Sequence, residues 1–236
     1  MNQMPDSTID LAADREHTLA MFDVSRETAA RLDRFVALLL AWQRRTNLIS
    51  PSTISSLWTR HIADSLQLLQ LVPKSPPGNP PVWLDLGSGG GFPGIVIACS
   101  LVDVPGACVH LIESNMKKAA FLREAVRESK APGIVHAARI ETLGPALRPM
   151  PDYVTARAVA PLPDLFTMIA PFLKKGAKAF LLKGQDLDIE LTQATKYWNI
   201  EAEQVPSKTS RSGRILIVHR LLERTPLRIR QAPMKP

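Results

Sequence analysis

The pattern of apolar and polar residues changes its period repeatedly along the chain from residue 82 onward. Short apolar runs predict β-strands over 82–86, 108–113, 134–138, 153–158 and 178–183. Between them, apolar residues recur at helical spacing and predict helices over 94–101, 115–129, 162–173 and 186–197. This alternation is typical of an α/β fold in which helices cover both faces of a mostly parallel sheet.

The last two apolar segments have no helical pattern between them. Residues 199–205 and 214–221 flank the turn-like sequence PSKTSRSG, which predicts two antiparallel strands that close the sheet. We expect the residues after these strands, 223–236, to form a flexible basic tail.

The first quarter of the chain carries two helical patterns followed by a proline-rich stretch. Ser25 is typical of a helix N-cap, and a second apolar stripe predicts a helix over 54–71. The sequence PKSPPGNPP at 73–81 cannot continue a helix and predicts a stiff linker. We therefore expect a loosely ordered segment or short helix over 1–24, a small helical unit over 25–72 and a larger domain over 82–222.

Composition narrows the class of protein. Cys99 and Cys108 form no CxxC motif and have no histidine at ligand spacing, so we expect neither a disulfide framework nor a metal site. The longest strongly apolar stretch, FVALLLAW, is too short to cross a bilayer, and the N-terminus lacks the order of a signal peptide. We expect a soluble cytoplasmic protein.

The net charge is +7, and its excess lies at one end of the chain. Residues 206–236 hold eight of the 29 basic residues and one of the 22 acidic residues, so the remainder is balanced. Such a stretch attracts a polyanion such as RNA, or serves only as a solvated tail that aids solubility. Charge alone leaves both interpretations open.

A glycine-rich loop follows the first predicted strand, in the sequence PVWLDLGSGGGFPGIVIA. Ligands of open α/β sheets bind at the carboxyl ends of the strands, and glycine lets the backbone approach them closely. The spacing Gly89-x-Gly91-x-x-Gly94 fits a dinucleotide loop, which would hold a pyrophosphate. The preceding pattern Asp85-x-Gly87-x-Gly89 instead places a carboxylate where a cationic ligand such as S-adenosylmethionine binds. Alternatively, Asp85 only caps the loop.

Residues at the ends of the later strands complete the candidate cofactor site. Glu113 can accept hydrogen bonds from both ribose hydroxyls, a role found in nicotinamide and S-adenosylmethionine enzymes alike. Ile140 and Glu141 lie where an adenine ring can be held, and Arg139 and Arg157 lie at the same edge of the sheet. The end of the fourth strand lacks the Asn/Asp-Pro-Pro-aromatic motif of amine methyltransferases, and neither cysteine lies at the fourth or fifth strand end. These absences favour an acceptor that needs neither deprotonation nor covalent attack.

Three further residues are candidates for contact with a substrate. Arg60 and His61, in TRHIADSL, either close over the cofactor or contact RNA, although His61 also fits a packed position between a helix and the sheet. Lys183, in LLKGQD at the end of the fifth strand, either meets a phosphate or is only solvated.

Four motifs occur in order along the chain: NLIS followed by RHIADSLQLL, then LDLGSGGGFPGI, ARAVAPL and LLKGQD. On these motifs the chain, from about residue 25 to 222, resembles the ribosomal RNA small subunit methyltransferase G family, also called glucose-inhibited division protein B. The resemblance implies a Rossmann-like class I methyltransferase sheet, S-adenosylmethionine as methyl donor and guanine N7 of 16S rRNA as acceptor. The family's cofactor-binding positions correspond to Gly87, Phe92, Ile140, Glu141 and Arg157.

The implied chemistry agrees with the absences at the strand ends. Guanine N7 carries an in-plane lone pair and no proton, so it needs positioning rather than a general base, and we assign no catalytic residue. The expected partner of this monomer is 16S rRNA or the small ribosomal subunit. To the cofactor site we also assign Asp85, Gly89 and Glu113, and to the substrate site Arg60, His61, Arg139 and Lys183. The alternatives are a nicotinamide-dependent oxidoreductase and a non-catalytic RNA-binding module.

Overall fold

One seven-stranded sheet forms the centre of the molecule, whose computed structural model describes residues 7–73, 76, 78–143 and 147–224. Its strands follow the order β3-β2-β1-β4-β5-β7-β6. They are β1 (Val82–Leu86), β2 (Cys108–Ile112), β3 (Gly133–His136), β4 (Tyr153–Arg157), β5 (Lys178–Lys183), β6 (Trp198–Pro206) and β7 (Arg214–Glu223). The first five strands run parallel, whereas β7 is antiparallel to β5 and β6 is antiparallel to β7. The predicted α/β sheet with an antiparallel closing pair is confirmed.

Helices cover both faces of this sheet, as the alternating pattern predicted. They are α1 (Ser7–Met21), α2 (Arg26–Gln43), α3 (Asp64–Leu69), α4 (Gly94–Ser100), α5 (Met116–Ser129), α6 (Ile140–Leu143), α7 (Leu162–Leu173) and α8 (Leu187–Ala194). Ser25 caps α2, because its side chain accepts a hydrogen bond from the Thr28 N–H. None of the helices in the described part of the chain combines the length and the apolarity needed to span a membrane.

The N-terminal quarter differs from its predicted helices in one place. Residues 54–71 do not form one helix: a π-helical segment, Trp58–Ala63, precedes the short α3. Over 1–24, where the sequence predicted a loosely ordered segment or a short helix, the structure has the 15-residue helix α1. The two elements are joined, because the Asp14 carboxylate of α1 accepts hydrogen bonds from the backbone N–H groups of Trp58 (2.7 Å) and Thr59 (3.2 Å). The start of the π-helical segment is thus capped by a distant side chain rather than by its own neighbours.

The N-terminal helices and one face of the sheet share a single hydrophobic core. Phe35 of α2 packs against Phe92 and Phe121, with ring centroids 5.3 and 6.2 Å away. Trp58 and Trp83 are buried in the same cluster. Burying each such aromatic side chain stabilises the fold by about 1.5–3 kcal/mol. The helical unit predicted over 25–72 is therefore a layer on the sheet.

The opposite face of the sheet carries a second core, built mainly from α7. Phe166 and Ile169 of this helix are buried against strand residues such as Leu84 and Val154. Within the predicted linker, residues 74, 75 and 77 lie outside the described residues, as do residues 225–236 of the predicted tail. Because β4 and β5 pass between the two cores, their carboxyl ends are held in fixed positions at the edge where the sequence predicted a ligand.

Candidate active site

The glycine loop lies where β1 ends, directly under residues that follow β4. Gly87 has a positive φ of 63°, and a Cβ there would lie 2.8 Å from Cγ2 of Val159. An L-residue at position 87 would therefore be strained in its backbone and would clash with Val159. The absence of a side chain keeps the backbone of the loop open to the cleft beside it.

Asp85 lies beneath the glycine loop rather than on a cavity wall. The side chain is buried, with 1% of the residue exposed. Its Oδ1 accepts a hydrogen bond from Thr155 Oγ1 (2.9 Å) and its Oδ2 accepts one from the Gly94 N–H (3.2 Å). Burial raises the pKa of Asp85 to about 7, although the bonds from Thr155 and Gly94 oppose the rise. The structure shows Asp85 bonded at the start of α4, as in the alternative that it caps the loop, and its contact with a ligand stays a prediction.

A cleft of about 380 Å³ opens above the loop. Its acidic lining residue is Glu113, just after β2, and two cations, Lys118 and Arg157, also line it. The Glu113 carboxylate accepts hydrogen bonds from the N–H groups of Gly89 (2.9 Å, Oε2) and Asn115 (2.7 Å, Oε1). These bonds fix the carboxylate between the glycine loop and the start of α5, where it takes the cleft position that the sequence assigned to it.

His61 and Phe92 form one side of this cleft together. The two rings stack with centroids 4.8 Å apart, and His61 Nε2 lies 2.8 Å from Thr53 Oγ1. Burial, together with the positive charges of Arg157 and Arg60, lowers the pKa of His61 to about 3. Among the described residues, Nδ1 of His61 has no hydrogen-bond partner. His61 is therefore a neutral ring that is packed at the helix–sheet boundary and also lines the cleft.

Arg157, at the end of β4, separates this cleft from a larger cavity of about 690 Å³. Burial lowers the pKa of Arg157, while the nearby Asp64 raises it. The Asp64 carboxylate lies 3.7 Å from Nη1 of Arg157, and this nitrogen makes no hydrogen bond to any described residue. The two cavities share the segment Arg157–Val159, so ligands in both would lie side by side.

The larger cavity is lined by the ends of β4 and β5, by α8 and by the β6–β7 turn. Lys183 lies on its wall, where its Nζ donates to Glu190 Oε2 (2.7 Å) and to the carbonyl of Ala160 (3.0 Å). This pairing shows that Lys183 is not merely solvated, and its contact with a phosphate stays a prediction. Arg60 also lines the cavity, but it is exposed.

The three predicted residues after β3 are not brought to either cavity. Ile140 is half-buried and packs against the second core, while Arg139 and Glu141 are exposed on or beside α6. None of the three is among the residues that line the cleft or the larger cavity. Residues 144–146, which follow α6, lie outside the described part of the chain.

Comparison with known proteins identifies the family of the chain. A family model described as rRNA small subunit methyltransferase G matches residues 28–216. The chain belongs to this family. A relative from Bradyrhizobium sp. (strain BTAi1), named ribosomal RNA small subunit methyltransferase G, is 55% identical over 88% of this chain and 91% of its own. A relative of the same name from Nitrobacter hamburgensis is 54% identical over 90% of this chain and 80% of its own.

Solved structures with the same fold are more distant in sequence. Cofactor-bound Rv0187 from MTB aligns with a TM-score of 0.54 at 17% identity, over 92% of this chain and 99% of its own. The fibrillarin/Nop5p complex aligns with a TM-score of 0.52 at 16% identity, over 69% of this chain and 82% of its own. These likenesses show the fold alone.

Family membership settles the class of reaction. The protein is a methyltransferase, and its methyl donor is S-adenosylmethionine, as the sequence predicted. A nicotinamide-dependent oxidoreductase and a non-catalytic RNA-binding module are not favoured. The cleft residues fit the donor, because Glu113 offers carboxylate acceptors for hydroxyl groups and the glycine loop leaves its backbone uncovered. The volume of the cleft lies within the range of about 300–1,000 Å³ that is usual for small-molecule sites.

Sequence reasoning missed several residues that line the two cavities. Leu48 and Ile49 line the cleft because the Gln43 side chain holds their backbone: Gln43 Oε1 accepts from both N–H groups, and Nε2 donates to the Ile49 carbonyl. The NLIS motif contains Leu48 and Ile49, but their contact with the glycine loop, about 40 residues further along the chain, leaves no pattern in the local sequence. The β6–β7 turn was likewise identified only as a turn.

Proposed function

We propose that the protein transfers a methyl group from S-adenosylmethionine to N7 of a guanine in 16S rRNA of the small ribosomal subunit. The observation that carries this proposal is the pair of adjoining cavities that share Arg157–Val159. The cleft over the glycine loop suits the donor, and the larger cavity beside it has room for a nucleotide of the acceptor. The family to which the chain belongs supplies the class of substrate.

The donor would be held by the backbone of Gly87 and Gly89, by the ring of Phe92 and by the Glu113 carboxylate. Glu113 lines the cleft and already orders the loop through the Gly89 N–H, and its carboxylate can accept further hydrogen bonds. Asp85 acts from below by fixing the loop and the start of α4. Ile140 and Glu141 remain candidate donor contacts by family resemblance, and Arg139 remains a candidate substrate contact because of its position after β3.

The proposed reaction requires the protein to position the two reactants and requires no general base. Bound S-adenosylmethionine supplies an electrophilic methyl group on its sulfonium. Guanine N7 has a free lone pair and no proton to lose, so the protein needs only to exclude water and align the two partners. His61 suits this role because its low pKa keeps the ring neutral, so it adds no positive charge beside a cationic donor.

The partner implied by this reaction is ribosomal RNA or the small ribosomal subunit. We also propose that the enzyme acts as a cytoplasmic monomer, because residues of a single chain line both cavities. Arg60 would face the acceptor side and His61 the donor side.

Methyl transfer from labelled donor to 16S rRNA that lacks the modification tests the proposal. We expect label in 16S rRNA, and cleavage chemistry specific for 7-methylguanine should locate it at a single guanine. Label on another atom or on another RNA would overturn the assignment. Thermal-shift titrations should show stabilisation by S-adenosylmethionine and none by NADH.

A further inference from the structure

Four cations that form no ion pair with a described residue make a basic rim on one side of the larger cavity, and they come from two distant parts of the chain. Arg60 lies on the π-helical segment and Arg214 begins β7, and both line the cavity. Lys208 and Arg211 are exposed on the β6–β7 turn. Within the described residues, no acidic side chain forms an ion pair with any of these four.

The interior of the same cavity is electrically different from its rim. Its two inner cations face carboxylates: Arg157 lies beside Asp64, and Lys183 is bonded to Glu190. The wall formed by the turn also carries hydroxyl groups, from Ser207, Ser210 and Ser212. Uncompensated positive charge and hydroxyl donors together are the groups that contact nucleic-acid phosphates.

The β6–β7 turn is held in place from the side by α3 and the residue that follows it. Thr209 Oγ1 donates to Asp64 Oδ1 (2.8 Å), and the Lys208 N–H donates to Gln67 Oε1 (2.9 Å). Lys208 Nζ donates to Gln70 Oε1 (2.5 Å). Gln67 is buried, at 2% exposure, so this anchor is part of the packed structure. A turn fixed before binding loses less conformational entropy when it meets a ligand.

We propose that Arg60 and the turn, residues 207–214, form the two sides of a groove that binds the sugar–phosphate backbone beside the acceptor guanine. Asp64 is the positioning residue that holds the turn in this groove. The inference rests on the proposed function and extends it, because it names the residues that supply affinity for RNA. It also assigns a role to described members of the basic C-terminal stretch, Lys208, Arg211 and Arg214.

Arg211→Gln tests the groove, with Arg123→Gln as the matched control. Arg123 is exposed on α5 and lines neither cavity. Binding of a 16S rRNA fragment is measured by fluorescence anisotropy over a series of salt concentrations. We expect Arg211→Gln to weaken binding about tenfold at low salt and to reduce the slope of log K against log salt by about one. Arg123→Gln should match the wild type in both quantities. Equal values for both variants would overturn the groove.

Thr209→Val tests the positioning role of Asp64, with Thr209→Ser as the rescue. Valine keeps the shape of threonine but cannot donate to Asp64, whereas serine can. We expect Thr209→Val to raise KM for rRNA several-fold while kcat and the affinity for S-adenosylmethionine stay unchanged. Thr209→Ser should restore the wild-type KM. A loss of kcat, or of donor affinity, in Thr209→Val would contradict the assignment.

The two experiments separate failure of the groove from failure of the proposed function. If the wild type methylates rRNA but Arg211→Gln and Thr209→Val behave like it, the groove is wrong and the function stands. If the wild type transfers no methyl group to rRNA, the proposed function is wrong whatever the salt series shows.

Discussion

The donor cleft and the larger cavity beside it are built in different ways. The cleft is centred on the continuous loop after β1 and on Glu113 at the next strand end, and Leu48, Ile49, His61 and Arg157–Val159 complete its lining. The larger cavity gathers residues from the π-helical segment, two strand ends, α8 and the β6–β7 turn. The cleft is lined by backbone and by a neutral histidine, with Glu113 as its acidic residue, whereas the cavity contains paired charges inside an unpaired basic rim. The contrast suits a small donor on one side and a polyanion on the other.

The largest expected effect comes from removing the acidic group of the cleft. We predict that Glu113→Ala weakens the binding of S-adenosylmethionine about 100-fold, because charge-assisted hydrogen bonds contribute about 1.5–3 kcal/mol each. Isothermal titration calorimetry measures this affinity. Glu128→Ala, on the exposed side of α5, is the control and should bind the donor like the wild type. Unchanged affinity in Glu113→Ala would mean that the donor lies elsewhere.

The second effect is a pH dependence that belongs to the cleft. Folding lowers the pKa of His61 from about 6.5 to about 3. Above pH 6.5 the side chain is neutral in both states, so no stability is lost to removing its proton on folding. This stability is lost as the pH falls from 6.5 towards 3, and between pH 7 and 5 the loss is about 2 kcal/mol.

A variant isolates that dependence from other groups. His61→Asn should lose less stability than the wild type between pH 7 and 5, as measured by urea unfolding at each pH. His110, whose pKa burial lowers to about 4, is present in both proteins and cancels in the difference. Identical pH profiles would show that His61 is not held neutral in the cleft.

A smaller effect distinguishes a residue beneath the loop from one on the cleft wall. Asp85→Asn should lower the free energy of unfolding by about 1–2 kcal/mol. Gly94 and Thr155 donate to different oxygens of Asp85, and an asparagine side chain has only one acceptor oxygen, so one of the two hydrogen bonds is lost. Donor affinity should change less than in Glu113→Ala. Denaturant unfolding and calorimetry on the same samples check both parts. A loss of donor affinity without loss of stability would show that Asp85 contacts the donor directly.

The smallest effect is expected at Lys183. Since its charge is neutralised by Glu190, Lys183→Met should change the affinity for rRNA by no more than about twofold. The same anisotropy assay that reports on Arg211 measures it. A tenfold loss would show that Lys183 leaves Glu190 to meet a phosphate.

The fold and the cleft were predictable because their signals are local. Strand and helix periods placed β1 and β5 at their observed bounds, and the glycine loop with Glu113 follows directly from two strand ends. The sequence was less informative where a distant partner decides the local structure. Thr155 donates a hydrogen bond to Asp85, Lys183 donates one to Glu190, and Asp14 accepts one from Trp58 where the helix predicted over 54–71 is interrupted. The periodic pattern of apolar residues does not reveal any of these contacts.

The proposed roles of the cleft and the larger cavity depend most on where the methyl donor binds. A crystal structure with S-adenosylhomocysteine, the product that remains after methyl transfer, tests this directly. We predict density between the glycine loop and Phe92 with hydroxyl groups bonded to Glu113, and none in the larger cavity. Density in the larger cavity, or a product that leaves Glu113 bonded only to Gly89 and Asn115, would contradict the account.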